Sequence, residues 1–220
     1  MLSRKKHYLQ IALNSTLSEA KKIISQLPPH DRIILEAGTP LIKEFGAEGI
    51  KKIKNWWQKR ILKTPYIVAD LKCMDRGTRE VEIAYQAGAS AVTVLGQAPL
   101  ETIDILIETC QKRGLDSIID MMNVDQPYQV LRRLKKLPQV VMLHRGVDET
   151  EKGTKRFPIH LINKVKGTFD VMVAIGGGDT IREVQSAVFN GADIVMVWKK
   201  FYQLEDNTAL LAEEFLKEIK

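Results

Sequence analysis

The segment YIVADLKCMD, residues 66–75, is uncharged as far as Ala69 and then abruptly charged. An unbroken apolar run of this length suits a strand buried on both faces, which is the habit of parallel sheets. Asp70 and Lys72 stand two residues apart, so on a strand both side chains leave from the same face. Asp75 follows in the loop beyond, within reach of the strand's mouth or of a second subunit. Charges embedded in apolar strands are costly unless they pair, bind a metal or take part in chemistry. A buried Asp70–Lys72 ion pair alone would gain little for stability. The array therefore reads as functional: it can keep an ammonium group protonated, hold a divalent cation and face a developing oxyanion.

Seven further runs of the same kind lie on either side. They are YLQIALN ending at Asn14, RIILEAG carrying Glu36, AVTVLG ending at Gly96 and SIIDMM carrying Asp120. VVMLHR with His144 and Arg145, VMVAIG ending at Gly176 and DIVMVW ending at Trp198 complete the set. Helical spacing fills the gaps: Ile103, Leu106 and Cys110; Leu131 and Leu134 before Leu137; Ile181, Val184 and Val188. Thr16 with Glu19 three residues on forms a capping-box pattern, and Asn207 and Thr208 precede a helix carrying Leu211 and Phe215. Strand then helix, eight times over, predicts one (β/α)8 TIM barrel spanning residues 1–220 as a single domain.

The charge balance excludes little. With 33 Lys and Arg against 27 Asp and Glu, the chain carries +6, but its bases are interspersed with acids along predicted helices. The basic run Arg132 to Lys136, placed on a helix ending before Pro138, reads as a solvated face and not a nucleic-acid surface. Cys73 and Cys110 make no disulfide framework and have no metal-ligand spacing. No apolar stretch approaches the ~20 residues of a membrane span. The N-terminal MLSRKKHYLQIALNS is basic without a long apolar core or a cleavage site. The expectation is a cytoplasmic protein with reduced thiols and neither a membrane nor a nucleic-acid partner.

In a barrel of this kind, chemistry gathers where strands run out at their C-terminal ends. Those positions hold Asn14, Glu36, Asp70, Lys72, Asp120, His144 and Lys199. Glu36 is a second candidate oxygen ligand, and Mg²⁺ usually takes one or two carboxylates from a protein. His144 is the only histidine at a strand end, and its ordinary pKa suits proton transfer near neutrality. Gly176, Gly177 and Gly178, ahead of Asp179 and Thr180, could bring backbone N–H groups to a phosphate after the seventh strand. Lys199 would supply a cation beside it.

The stretch VADLKCMDRGTREVEIAYQAGASAVTVLGQAP resembles the signature region of 3-hexulose-6-phosphate synthases, within the orotidine-monophosphate decarboxylase superfamily marked by Asp-x-Lys-x-x-Asp. LQIALN, ILEAGTPLI, IIDMMNV, LHRGVDE, IGGGDT and NGADIVMV follow the same family's order along nearly the whole chain. The resemblance implies that Glu36 and Asp70 bind Mg²⁺ and that Lys72 stabilises an enediolate. Asp75 would reach into the neighbouring site of a homodimer with shared active sites. His144 would move protons, with Asn14 and Asp120 at the family's other catalytic positions. Gly176 to Gly178, Trp198 and Lys199 would hold the substrate phosphate.

The implied reaction is aldol addition of formaldehyde to ribulose 5-phosphate. The alternatives are a decarboxylase resembling 3-keto-L-gulonate-6-phosphate decarboxylase, or a divergent paralogue without turnover. Asp120 and Val147 favour the synthase, because the decarboxylases have Glu and Arg there. Three residues depart from the family pattern: Asn14 replaces Asp, Trp198 replaces Gly, and Ile175 replaces a small residue and is expected to narrow the pocket.

Overall fold

The computed structural model describes residues 1–153, 157–203 and 207–219. Eight strands form a closed parallel barrel in sequence order. They are β1 (Tyr8–Leu13), β2 (Ile33–Ala37), β3 (Ile67–Cys73), β4 (Ala91–Leu95), β5 (Asp116–Asp120), β6 (Val140–His144), β7 (Met172–Gly176) and β8 (Ile194–Val197). The helices between them are α1 (Leu17–Gln26), α2 (Thr39–Ile61), α3 (Gly77–Ala87), α4 (Leu100–Arg113), α5 (Pro127–Leu131), α6 (Val147–Glu151), α7 (Ile162–Lys166) and α8 (Ile181–Phe189). After β8 come α9 (Lys199–Gln203) and α10 (Thr208–Glu218). The barrel closes where β1 pairs with β8, Tyr8 lying opposite Ile194.

The unbroken apolar character of the strands has a direct structural cause. Alternate residues serve two separate cores. Ala12, Ile34, Val68, Ala91, Ile118 and Val140 fill the barrel's interior. Leu9, Ile11, Leu35, Val92, Val141 and Val173 pack outward against the helices. Ile175 belongs to this outer layer and is fully buried. The expectation that it narrows the pocket is therefore corrected: strand alternation turns it away from the barrel's mouth.

The expected capping box at Thr16 is present, with Glu19 N donating to Thr16 Oγ1 at 3.3 Å. A second box joins Thr180 and Glu183 at the start of α8. One helix differs from expectation. Arg132 to Lys136 do not continue α5, which ends at Leu131. Lys135 N instead donates to the Asp104 carboxylate on α4 at 3.0 Å, and the chain leaves the helical path. Leucine spacing at positions 131, 134 and 137 is met by a turn that half-buries the last two. Among the described residues, no helix is long and apolar enough to cross a membrane.

Candidate active site

At the C-terminal mouth of the barrel lies a cavity of about 420 Å³, a size suited to a small metabolite. Asn14, Glu36, Asp70, Lys72, His144 and Lys199 line it, from five different strands or the turns that follow them. The floor is built by β3. Its pairing with β4 slips between Ala69 and Cys73, and Lys72 has φ +45°, a left-handed backbone that is unfavourable for a side chain of this size. Thr93 on β4 holds the distortion, its hydroxyl oxygen accepting the Lys72 N–H at 2.9 Å. The same hydroxyl donates to Asp70 Oδ1 at 2.8 Å. Sequence spacing alone anticipated a shared face for Asp70 and Lys72, which holds, but not the bulge that lifts the lysine into the mouth.

Charges on this floor are tightly organised. Lys72 Nζ lies 3.0 Å from Asp70 Oδ2 and 2.8 Å from Asp120 Oδ2. His144 Nδ1 is 2.9 Å from the same Asp120 oxygen. Asp120 is fully buried, yet its carboxyl stays well below the usual carboxylate range: the burial penalty is outweighed by His144 and Lys72. Burial pushes His144 down, but the charge and hydrogen bond of Asp120 raise it on balance. Burial likewise works against the Lys72 ammonium, and Asp70, Asp120 and Glu36 more than restore it. The result is a lysine held charged and a histidine that gains a proton more readily than in water.

Glu36 tells a different story. It is 3% exposed, and burial followed by the nearby Asp70 charge raises its pKa to about 8. Gln10, itself buried on β1, donates to one Glu36 oxygen. Asp70 is steadied by Thr39, whose hydroxyl lies 2.8 Å from its Oδ2. Two desolvated carboxylates side by side form an all-oxygen donor set whose mutual repulsion a divalent cation would relieve. Among the described residues no group of three His, Cys, Asp or Glu converges as a metal cluster. Two carboxylates with open space beside them fit a hard ion that keeps water or substrate oxygens in its shell.

The other expected residues fall in three places. Asp75 is exposed beyond β3, its carboxylate accepting the Arg76 N–H at 2.7 Å, and it is not part of its own chain's cavity. Asn14 lines the cavity, and the Tyr202 hydroxyl oxygen accepts its N–H at 2.9 Å. The glycine run is required by crowding. A side chain at Gly176 would meet Met196, one at Gly178 would meet Phe157, and Gly177 has φ +91°. Trp198 lines the cavity and meets the Tyr202 ring edge-on at 6.2 Å. The backbone N–H groups of Trp198 and Lys199 both donate to Asp179 Oδ1, at 3.0 and 3.2 Å. The Lys199 ammonium lies 3.5 Å from Glu151. Carboxylates of this chain thus face the donors expected to hold phosphate. Asp179, Glu151, Thr39, Thr93 and Arg145 were given no role from the sequence; only Arg145 carried a hint, as the residue that follows His144 at a strand end.

This geometry can be set beside known proteins. The family model described as "Orotidine 5'-phosphate decarboxylase / HUMPS family" matches residues 7–210. The chain belongs to that family. A relative in Methanothrix thermoacetophila, named bifunctional enzyme Fae/Hps, is 36% identical over 214 residues, covering 97% of this chain and 53% of the relative. Another of that name in Methanoculleus marisnigri is 39% identical over 213 residues, covering 96% and 52%. The chain therefore spans about half the length of the curated relatives it matches. The solved 3-hexulose-6-phosphate synthase of Salmonella typhimurium superposes with a TM-score of 0.85 at 30% identity, covering 96% of this chain and 98% of that one. KGPDC from Streptococcus mutans, at 18% identity and a TM-score of 0.77, shares the fold. Family membership and barrel agree with what the sequence motifs implied.

Proposed function

We propose that this chain is a Mg²⁺-dependent phosphosugar lyase that adds formaldehyde to ribulose 5-phosphate in an aldol reaction, the activity of a 3-hexulose-6-phosphate synthase. The observation that carries the reading is that Lys72 and His144, joined by the buried Asp120, line one cavity with Glu36 and Asp70. It supplies a fixed cation and a proton carrier at one site, which enolisation next to a carbonyl requires. Glu36 and Asp70 would hold the ion, and Mg²⁺ when bound supplies Lewis-acid polarisation of substrate oxygens.

The remaining chemistry is the chain's own. His144 takes a C1 proton from ribulose 5-phosphate, leaving an enediolate whose negative charge the Lys72 ammonium stabilises. His144, oriented by Asp120, moves protons between substrate oxygens and the cavity. C1 then attacks the formaldehyde carbon, and the new alkoxide takes up a proton to give the hexulose 6-phosphate. Asp120 supports this reading over the related decarboxylation. Its side chain reaches Lys72 and His144 at 2.8 and 2.9 Å, and the decarboxylases that the sequence resembles carry a glutamate at this position.

A homodimer with shared sites is part of the proposal. Asp75 stands outside its own cavity on an exposed loop with Met74, and α3 and α4 nearby present Tyr85 and Ile105. A second copy docked there would bring Asp75 to its neighbour's mouth. The chain is expected to work in the cytoplasm on a phosphosugar, without nucleic acid. The decisive assay is formaldehyde consumption with ribulose 5-phosphate, run with Mg²⁺ and with EDTA. Asp70→Ala should lose Mg²⁺ affinity by calorimetry while keeping its fold; undiminished affinity would remove Asp70 from the ligand set.

A further inference from the structure

Arg145 follows His144 directly, lines the same cavity, and yet does not point its charge into it. Its guanidinium turns onto the loop after β7. Nε donates to the Gly177 carbonyl at 3.2 Å, and Nη2 donates to that carbonyl and to Glu183 Oε1 at 3.3 Å. The plane lies 5.4 Å from the Phe157 ring, the ring that a side chain at Gly178 would strike. The main chain is equally close: Arg145 N donates to Gly176 O at 3.1 Å. A Cβ on Gly177 would come within 2.2 Å of Arg145 O. Gly177 can sit there only because it lacks a side chain and adopts φ +91°.

Glu183, the carboxylate that Arg145 meets, is the hub of the loop's second half. It accepts the N–H groups of Asp179 and Thr180 at 3.2 and 3.1 Å. Asp179 in turn reaches the backbone of Trp198 and Lys199. One arginine therefore begins a continuous chain of hydrogen bonds from the end of β6 to the end of β8. We propose that Arg145 is a positioning residue for the substrate phosphate. By drawing the Gly177 carbonyl away from the cavity and anchoring Glu183, it keeps an anion-repelling oxygen out of the mouth and fixes the glycine turn. Its own charge is spent on Gly177 and Glu183, so it shapes the phosphate subsite without filling it. A planar fork with several donors can hold a carbonyl and a carboxylate together, which an ammonium cannot do as well.

This inference rests on the phosphosugar reading above, and its test separates the two. Calorimetry would measure binding of inorganic phosphate and of ribulose 5-phosphate to wild type, Arg145→Gln and Arg145→Lys, beside kcat and KM. In Arg145→Gln both affinities should fall on the order of tenfold, as expected when a charge-assisted hydrogen bond is lost. KM should rise in step while kcat stays within about threefold, and Arg145→Lys should recover part of the affinity. If Arg145→Gln fails to fold, Glu183→Gln probes the same anchor and should weaken phosphate binding in the same direction. Unchanged phosphate affinity in a folded variant, or a fall in kcat at constant affinity, would overturn the positioning role. Wild-type protein that binds phosphate without turning over ribulose 5-phosphate would refute the proposed reaction and leave the Arg145 inference to stand on the affinities. Wild type that binds neither ligand would overturn both.

Discussion

Asp120→Asn tests the floor of the site most severely. The wild-type carboxylate is fully buried; one oxygen meets Lys72 Nζ at 2.8 Å and His144 Nδ1 at 2.9 Å, and the other accepts the Met122 N–H at 2.9 Å. An amide of the same shape keeps the packing but cannot neutralise either partner. Removing one member of a buried ion pair costs about 3–5 kcal/mol, because a charge is left uncompensated. Lys72 retains Asp70 at 3.0 Å, which places the loss near the lower end, about 3 kcal/mol. For a chain of this length that corresponds to a drop in Tm of about 6–12 °C.

The loss should also depend on pH in a defined direction. His144 is raised above 6.5 in the folded protein, so its share of the stability is present below that value and lost as pH rises through its folded pKa. Asp120 is lowered below 3.8, so its share is present above that value and lost only as pH falls through the folded pKa. The stability gap between wild type and variant should therefore be widest near pH 6 and narrow towards pH 9, leaving the Lys72 share. Urea denaturation across that range reads the gap, and proton NMR of the His144 ring reads its pKa, which should fall in the variant. A gap that is constant or that grows with pH would refute the reasoning.

Lys72→Ala should lower kcat by on the order of 10²–10³ with a smaller effect on KM, because the ammonium meets charge that develops in the transition state. Steady-state kinetics within a few-fold of wild type would make it a structural counter-ion. Asp179→Asn keeps an oxygen for the Trp198 and Lys199 N–H groups and removes a negative charge from the cavity wall. Inorganic phosphate should then bind several-fold tighter by calorimetry, and weaker binding would show that the carboxylate does not oppose anions. Mixing Lys72→Ala with Asp75→Ala should restore part of the lost activity through mixed dimers with one intact site. No recovery after subunit exchange has been verified by mass spectrometry would count against sharing.

Much of this architecture is legible in residue order, because a buried parallel strand needs apolar groups on both faces and the residue at its end is free to be charged. YIVADLK, IILEAG and VVMLHR each show that switch, and each supplies a residue to the cavity. What pattern could not reveal is contact across strands. Thr93 supports Asp70 and Lys72 from the neighbouring strand, and nothing in AVTVLG marks its threonine as a support. Asp179 and Glu151 oppose the expected phosphate donors only after loops have folded towards one another. The failed helix at Arg132 to Lys136 has a similar origin, since Asp104 on a distant helix captures Lys135 N. Ile175 shows the converse: with period two known, its outward direction could have been read from its place next to Gly176.

The seam between β1 and β8 has a consequence for how such a chain comes into being. Asn14 follows the first strand and Lys199 the last, and they face one cavity only because Tyr8 and Ile194 lie side by side. As synthesis proceeds, β1 emerges long before its second neighbour exists, with one edge of hydrogen-bonding groups unpaired. Pairing that distant segment carries a large loop-closure cost, so closure comes late and slowly. An incomplete chain thus lacks one wall of the cavity and leaves a strand edge unpaired. The docking of Ile194 to Val197 against Tyr8 to Ile11 completes the cavity and pairs the last open strand edges in the same step.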